Sequence, residues 1–395
     1  MTLLFGRENL FGNKPGKIDT GAQMVIRKID TRNKRDLRKF IQFPFELYKN
    51  DKNWVPPMIN DMKLALNREA HPFYKHSHAD FFLAEENGKV LGRIAAIDNQ
   101  RYKEFVGEKS GFFSYFEVVE NIQTARELFN AVFDWGKDRG LKHIIGPKGL
   151  AQGDSLGMLV EGFKFKPAIG IAYNPRYYND FLSDSGFVKE FDYLSGYLKT
   201  GYEVPDRVYK LAQKVKERRG FWVKKFESKD EIRMWIPKIR EVYNRAFIDV
   251  PAFVPITEDE VQLIAKRILS IAHPKLIKLI FKGDELIGFL FSYHNISQGI
   301  QKSKGRMFPF GWYHLMRAFK QTNWVDINGI GLLPGHQGVG ATAVLYVELE
   351  KSIRSFPFEM ADIVQIAETN IKSFKEMDHL GVNWHKRHRI FKRAL

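Results

Sequence analysis

Ile330-Gly331-Leu332-Leu333-Pro334-Gly335-His336-Gln337-Gly338-Val339-Gly340-Ala341-Thr342-Ala343-Val344-Leu345-Tyr346 reads as a strand, a glycine-rich turn and the start of a helix. Pro334 ends the strand because it has no N–H to give to a ladder. Gly335, Gly338 and Gly340 permit torsions and close approaches that a Cβ would block. From Ala341 the residues are good helix formers, with apolar side chains recurring through Val344, Leu345, Val347 and Leu349. A glycine-led helix start presents free N–H groups and the positive end of a dipole, which suits a phosphate. A tight turn with no ligand makes the same backbone demands.

The kind of phosphate ligand is narrowed by what surrounds the turn. A P-loop ends in Gly-Lys-Ser/Thr, and no lysine stands here. Gly338-Val339-Gly340-Ala341-Thr342-Ala343 fits a G-x-G-x-x-A dinucleotide fingerprint, but only about 50 residues follow, too few for the remaining βα units. Gln337-Gly338-Val339-Gly340-Ala341-Thr342 resembles the Q/R-x-x-G-x-G/A acyl-CoA loop of the GNAT N-acetyltransferase superfamily, with Thr342 in place of the small last residue.

Outward from the turn, the chain repeats itself. Met24–Thr31 aligns with Phe221–Ser228, Trp54-Val55-Pro56-Pro57 with Phe253-Val254-Pro255-Ile256, and His71-Pro72 with His273-Pro274. Gly92 matches Gly288, Asn99 matches Asn295, Asn174 matches Asn370, and Gly186-Phe187 matches Gly381-Val382. The offsets run from 195 to 202, and collinearity at one spacing is what a duplicated unit leaves behind. Asn87-Gly88 and Gly283-Asp284 read as hairpin turns. Ile144-Ile145-Gly146-Pro147 and Ile363-Val364-Gln365-Ile366-Ala367 read as buried strands. Ser228-Lys229-Asp230-Glu231 reads as a capping box.

This order resembles the GNAT fold in tandem: an α/β chain with a mixed sheet, a first domain over residues 24–198 and a second over 221–395. Residues 199–220 read as a linker helix, and 1–23 as a flexible leader or tag. The first copy has Glu120-Asn121 where the second has its glycines, so it is expected to be degenerate and to bind no cofactor. Its own glycine-rich run, Gly146 to Ser155, reads as a loop, over an acceptor site or simply on the surface.

The resemblance implies acetyl-CoA or a longer acyl-CoA as donor. It puts an N–H for the carbonyl oxygen near Leu332, pantetheine along Ile330, Leu332 and Leu333, and pyrophosphate on Gln337, Gly338, Val339, Gly340, Ala341 and Thr342. It matches Asn370 to a further donor contact. The proton acceptor is read from the residues: Asp326, which alternates with Asn328 on one strand face, and secondly Glu368 beyond the next strand. Met377 stands where the superfamily has a tyrosine acid, so either a different proton donor or an inactive acyl-CoA-binding protein follows. His379 is a candidate substitute, although it reads as a surface residue.

Composition sets the outer limits. The 395 residues carry a net charge of +16, 44% hydrophobic residues and 0 Cys, which rules out disulfides, thiolate metal sites and a cysteine nucleophile. No metal site is expected; His385 and His388 lack accompanying ligands. No apolar run approaches about 18 residues, and a cytoplasmic location is expected. The charge favours acidic partners: a phosphorylated cofactor, an acidic carrier protein or an anionic membrane surface. Nucleic acid is disfavoured by the lack of a recognition motif. Gly299 to Trp324 is an aromatic, basic insert in which Phe308, Trp312, Leu315, Met316 and Phe319 share a helical face, read as packing on the sheet or as an apolar lid. The expected acceptor is a primary amine, with a lipid or sphingoid-type amine as the alternative.

Overall fold

The computed structural model describes residues 23–199 and 205–395, so the proposed leader lies outside the described residues apart from Gln23. The first half runs β1 (Val25–Lys28), α1 (Lys34–Leu47), α2 (Ile59–Leu66), β2 (His78–Glu86), β3 (Lys89–Asp98), α3 (Gln100–Val106), β4 (Ser110–Val118), α4 (Ile122–Lys137), β5 (His143–Gly146), β6 (Met158–Glu161), α5 (Tyr177–Asp184) and β7 (Val188–Lys199). Helix α6 (Asp206–Arg219) follows and stops at Gly220, which adopts the left-handed φ of +67° that glycine reaches without strain. The second half runs β8 (Phe221–Lys224), α7 (Lys229–Ala246), α8 (Glu258–Ile271), β9 (Ile277–Lys282), β10 (Glu285–His294), α9 (Ser297–Ser303), α10 (Gly311–Gln321), β11 (Trp324–Leu332), α11 (Ala341–Ile353), β12 (Met360–Ala367), α12 (Ile371–His379) and β13 (Asn383–Ala394).

Local chemistry explains the recurring pieces. His71 and His273 each accept a backbone N–H through Nδ1 two residues on, starting a short 3-10 turn before the hairpin. Asn87 and Gly88 take φ of +52° and +77°, a two-residue turn that matches strand twist. Two expected repeats differ in detail. Ser228 caps Glu231 N–H, but the Glu231 carboxylate reaches Glu227 N–H, so the reciprocal box forms instead at Thr257 and Glu260. Asn370 caps α12, whereas Asn174 binds Leu159 at β6.

All strands join one sheet in the order β1-β2-β3-β4-β5-β13-β7-β12-β11-β10-β9-β8, with β6 against β13. The last strands are exchanged. β13, from the second half, pairs with β5 of the first, while β7, from the first half, pairs with β12 of the second. β7 and β13 then pair with each other over most of their length. The two halves therefore close one another rather than standing as separate units.

β13 is central, and its cations are used internally. Arg387 and Arg389 pair with fully buried Asp192, and Lys392 pairs with Glu108. Burial alone would raise the Asp192 carboxyl, but hydrogen bonds from Arg389 and Lys189 hold it below the usual range.

Helices α6 and α11 cover one face of the second half, with Val215, Val344 and Leu345 against Ile280, Leu290 and Val325. Helices α7 and α8 cover the other, with Ile236, Ile239 and Val261 against Leu279, Phe281 and Phe289. One core spans both halves: Phe40, Phe81 and Phe112 share it with Val254 and Ala367. The glycine-rich run at 146–155 lies at this junction, where buried Lys148 reaches Ala252 O and Asp154 pairs with Arg267 at 2.8 Å.

Candidate functional site

β11 and β12 pair in parallel only from Trp324–Met360 to Ile327–Ile363. β12 is paired with β7 along its whole length; beyond that rung it keeps β7 alone, with a register shift around Gln365 at φ +49°, and the sheet splits from β11. β11 itself shifts register against β10 at Phe291/Ser292, leaving Asn328 as the extra bulged residue. Leu333 N–H donates to Ile287 O on β10 at 2.9 Å. Strand alternation then turns the N–H groups of Ile330 and Leu332 toward the split. Leu333 is therefore unavailable to a ligand through its backbone, and its buried side chain packs under α7 and α8.

At the end of β11 the turn gathers the remaining predicted residues. The Gln337 side-chain amide donates to Leu332 O at 3.2 Å, folding the turn back on the strand. Gly338 and Gly340 take φ of +71° and +88°. No side chain caps α11 and no acid stands in its first turn, so the N–H groups at Ala341–Ala343 keep their full dipole. The linker helix forms part of this wall. A Cβ on Gly340 would lie 2.7 Å from Val215 Cγ2 of α6, so glycine is needed there for packing as well as for φ. Val339 packs against the same core, and Ala341 is buried.

The first half has the same frame with the split closed. Gly92 faces Val118 as Gly288 faces Leu332, so Val118 is the counterpart of Leu332. Val118 N–H donates to Tyr178 Oη at 2.7 Å, and Tyr177 donates to Val118 O at 2.9 Å. The helix after it, α4, is capped by Asn121. The N–H groups that stay open in the second half are thus satisfied by α5 and by a cap in the first. Tyr178→Phe is expected to leave Val118 N–H unpaired and to cost about 1–3 kcal/mol in urea unfolding, with no gain of ligand binding.

Asp326 lies one rung inside the mouth of the split, fully buried, on the face opposite α11. Its oxygens accept from Ile169 N–H at 3.1 Å and Asn295 Nδ2 at 2.8 Å. Asp362 is its cross-strand partner, and Lys386 of β13 binds Asp362 at 3.0 Å. Burial, reinforced by Asp362, pushes the Asp326 carboxyl up to about 7. Burial also raises Asp362, but Lys386 favours charge there, which places the pair's proton on Asp326. A carboxyl that titrates near neutrality in a dry site is suited to proton transfer.

Glu368 is not brought to Asp326. It lies six residues beyond Asp362, roughly 20 Å along the strand direction. One oxygen accepts Asp192 N–H at 3.0 Å and the other pairs with Lys189 at 2.8 Å. Those bonds tie it to β7. Asn370 spends its Oδ1 on capping Ser373 N–H at 3.1 Å, leaving its amide nitrogen for any ligand.

Sequence reasoning missed Tyr346 and Glu376. Met377 is buried with Ile363, Leu380 and Val382, and Tyr346 of α11 packs into the same cluster. Glu376 hydrogen-bonds Tyr346 and Thr342, the latter at 3.4 Å, and burial raises its carboxyl. A phenol and a neutral-leaning acid therefore sit between α11 and α12, beside the turn. Burial also holds the Tyr346 phenol protonated, as a donor. Only the i, i+4 spacing of Thr342 and Tyr346 was visible beforehand, and it does not show which helix they face. His379 is exposed at the end of α12. His385 and His388 are kept neutral by burial, with values down to about 3 and about 4.

No family model matches the chain. It is 25% identical to the bacterial ceramide synthase of Caulobacter vibrioides over 386 residues, covering 95% of this chain and 99% of that protein. It is 26% identical to protein YghO of Escherichia coli K12 over 373 residues, covering 92% and 94% respectively. Among solved structures it resembles a tandem GNAT protein from the clavulanic acid biosynthesis pathway, with a TM-score of 0.56 at 11% identity, across 94% of this chain and 98% of that one. The chain has the tandem GNAT fold. No helix among the described residues is long and apolar enough to cross a membrane.

Proposed function

We propose that this chain is an N-acyltransferase that moves a long acyl group from a coenzyme A thioester to the primary amine of a long-chain base. The observation that carries this reading is the open split: outward-facing N–H groups on Ile330 and Leu332 lead to the start of α11, which no side chain caps and whose first turn carries no acid of its own. The chain's likeness to a protein named bacterial ceramide synthase, along almost all of both, supports the lipid amine as acceptor.

The residues fit such a donor. The α11 N-terminus, with Gly338 and Gly340, would hold the pyrophosphate. Ile330 and Leu332 would hold the pantetheine arm by backbone pairing, and the Leu332 N–H would polarise the carbonyl. The bound thioester supplies an activated acyl carbon with a good leaving group. Asp326 lies on the other face and six residues back along β11 from Leu332, roughly 20 Å, so, ionised, it takes the amine's proton through a water chain rather than by direct contact. Tyr346, kept neutral by burial, packs into the same cluster as Met377 and is the phenol offered as proton donor.

The test is turnover of acyl-CoAs from acetyl to stearoyl with a sphingoid base and with a short soluble amine. The expected result is amide formation with long-chain donors and the sphingoid base. Equal use of acetyl and palmitoyl donors, or binding without transfer to either amine, would overturn the reading.

A further inference from the structure

We propose that α10 and the turn before it form a docking surface for an anionic lipid bilayer. The sequence pattern puts Phe308, Trp312, Leu315, Met316 and Phe319 on one helical face, packed on the sheet or forming a lid; the structure divides them. Phe319 stacks on His294 with ring centroids 4.0 Å apart, and Leu315 and Ala318 close on Gly299 of α9. Phe308 and Phe310 remain 80% and 71% exposed, and Trp312, Tyr313 and Met316 each about half exposed. Five large apolar side chains in nine residues are an unusual load for a water-facing helix.

The platform beneath them is firmly held. Gln301 donates to Lys52 O at 3.0 Å and Trp54 O at 2.7 Å, and Gly305 O accepts Ile59 N–H at 2.8 Å. The insert is thus anchored across both halves while its outer side stays bare.

Charge identifies the occupant. From Ser297 to Trp324 there is no Asp or Glu, whereas Lys302, Lys304, Arg306, Arg317 and Lys320 are all exposed. None of the five is in an ion pair among the described residues. A second copy of this face would bring the same five cations together, so self-association is disfavoured. Phe, Trp and Tyr within a rim of Lys and Arg match the interfacial zone of an anionic leaflet.

The placement is also apt. α10 feeds the start of β11 and the phosphate turn follows its end, so nine strand residues hold them about 30 Å apart. A bilayer at α10 leaves the donor's phosphates in water and brings an apolar acceptor to the opposite end. That purpose rests on the N-acyltransferase reading; the docking itself does not.

Flotation of the purified full chain with vesicles tests the docking. Phosphatidylcholine vesicles with and without phosphatidylglycerol are compared for wild type, Phe308→Ser/Phe310→Ser and Lys302→Gln/Lys304→Gln/Arg306→Gln. Wild type is expected to float with the anionic vesicles. The aromatic variant should lose roughly tenfold or more in partition and the charge variant about a hundredfold. Both should keep the wild-type melting temperature and wild-type acyl-CoA binding in solution, which separates failure of docking from failure of the donor site. No flotation of wild type, or equal flotation of all three proteins, overturns the proposal. So does loss of a dimer or of single-stranded RNA binding in these variants without any change on vesicles.

Discussion

Gly338→Asp is expected to weaken acyl-CoA binding by roughly a hundredfold while the protein remains folded. The position is chosen for what surrounds it. A Cβ on Gly338 meets nothing within 4 Å, and aspartate tolerates the left-handed φ of +71° better than most residues. Gly340 would be a poorer choice, because any side chain there strikes Val215 and unsettles α6. The new carboxylate would stand at the acid-free start of α11 and repel the donor's phosphates, as well as capturing the free N–H groups itself. Calorimetric titration with palmitoyl-CoA reads the loss, and a thermal melt checks the fold. Undiminished affinity would place the donor elsewhere.

Asp326→Asn is expected to lower kcat by about 10²–10⁴ and to remove the pH dependence that the carboxyl imposes. In wild type the base works only when ionised, so activity should rise with pH through about 7. Stability should move the other way. The folded carboxyl binds its proton more tightly than the unfolded one, whose value is about 3.9. The native state therefore carries the extra proton between about pH 4 and 7, and the stabilisation present below that window is lost as pH rises through it. Urea midpoints of wild type should fall from pH 6 to pH 8, while those of the Asn variant stay flatter. A variant with the wild-type rate would remove Asp326 from the chemistry and leave it as a partner of Asn295 and Ile169.

What the sequence disclosed follows how local each feature is. The turn at Gln337–Thr342 was legible because glycine torsions, a missing cap and an uncharged first turn are properties of neighbouring residues. The duplicated plan was legible through spacing, and Gly92 and Gly288 indeed occupy matching rungs. The exchange of β7 and β13 was not, since a strand's own residues do not name its partners and the pairing joins residues nearly 200 positions apart. For the same reason Asp326 could be seen on a strand face, but not Asp362 beside it or Lys386 behind that. In α10 the periodicity showed which side chains share a face. It could not show that Phe319 stacks on His294 while Phe308 stays 80% exposed and Trp312 about half exposed. Closure of the first half was half visible: Glu120-Asn121 announced a capped helix, but the Tyr178 hydroxyl on Val118 comes from 60 residues away.

The central claim is that one half holds the donor, along the open edge of β11 and the start of α11. Amide hydrogen exchange read by mass spectrometry, with and without palmitoyl-CoA, tests it most directly. Peptides covering 329–344 should exchange more slowly with the ligand, because Ile330, Leu332 and the first α11 N–H groups gain partners. Peptides covering 115–125, where Val118 N–H and the α4 cap are already satisfied, should not change. Protection at 115–125, or none at 329–344, would contradict the account.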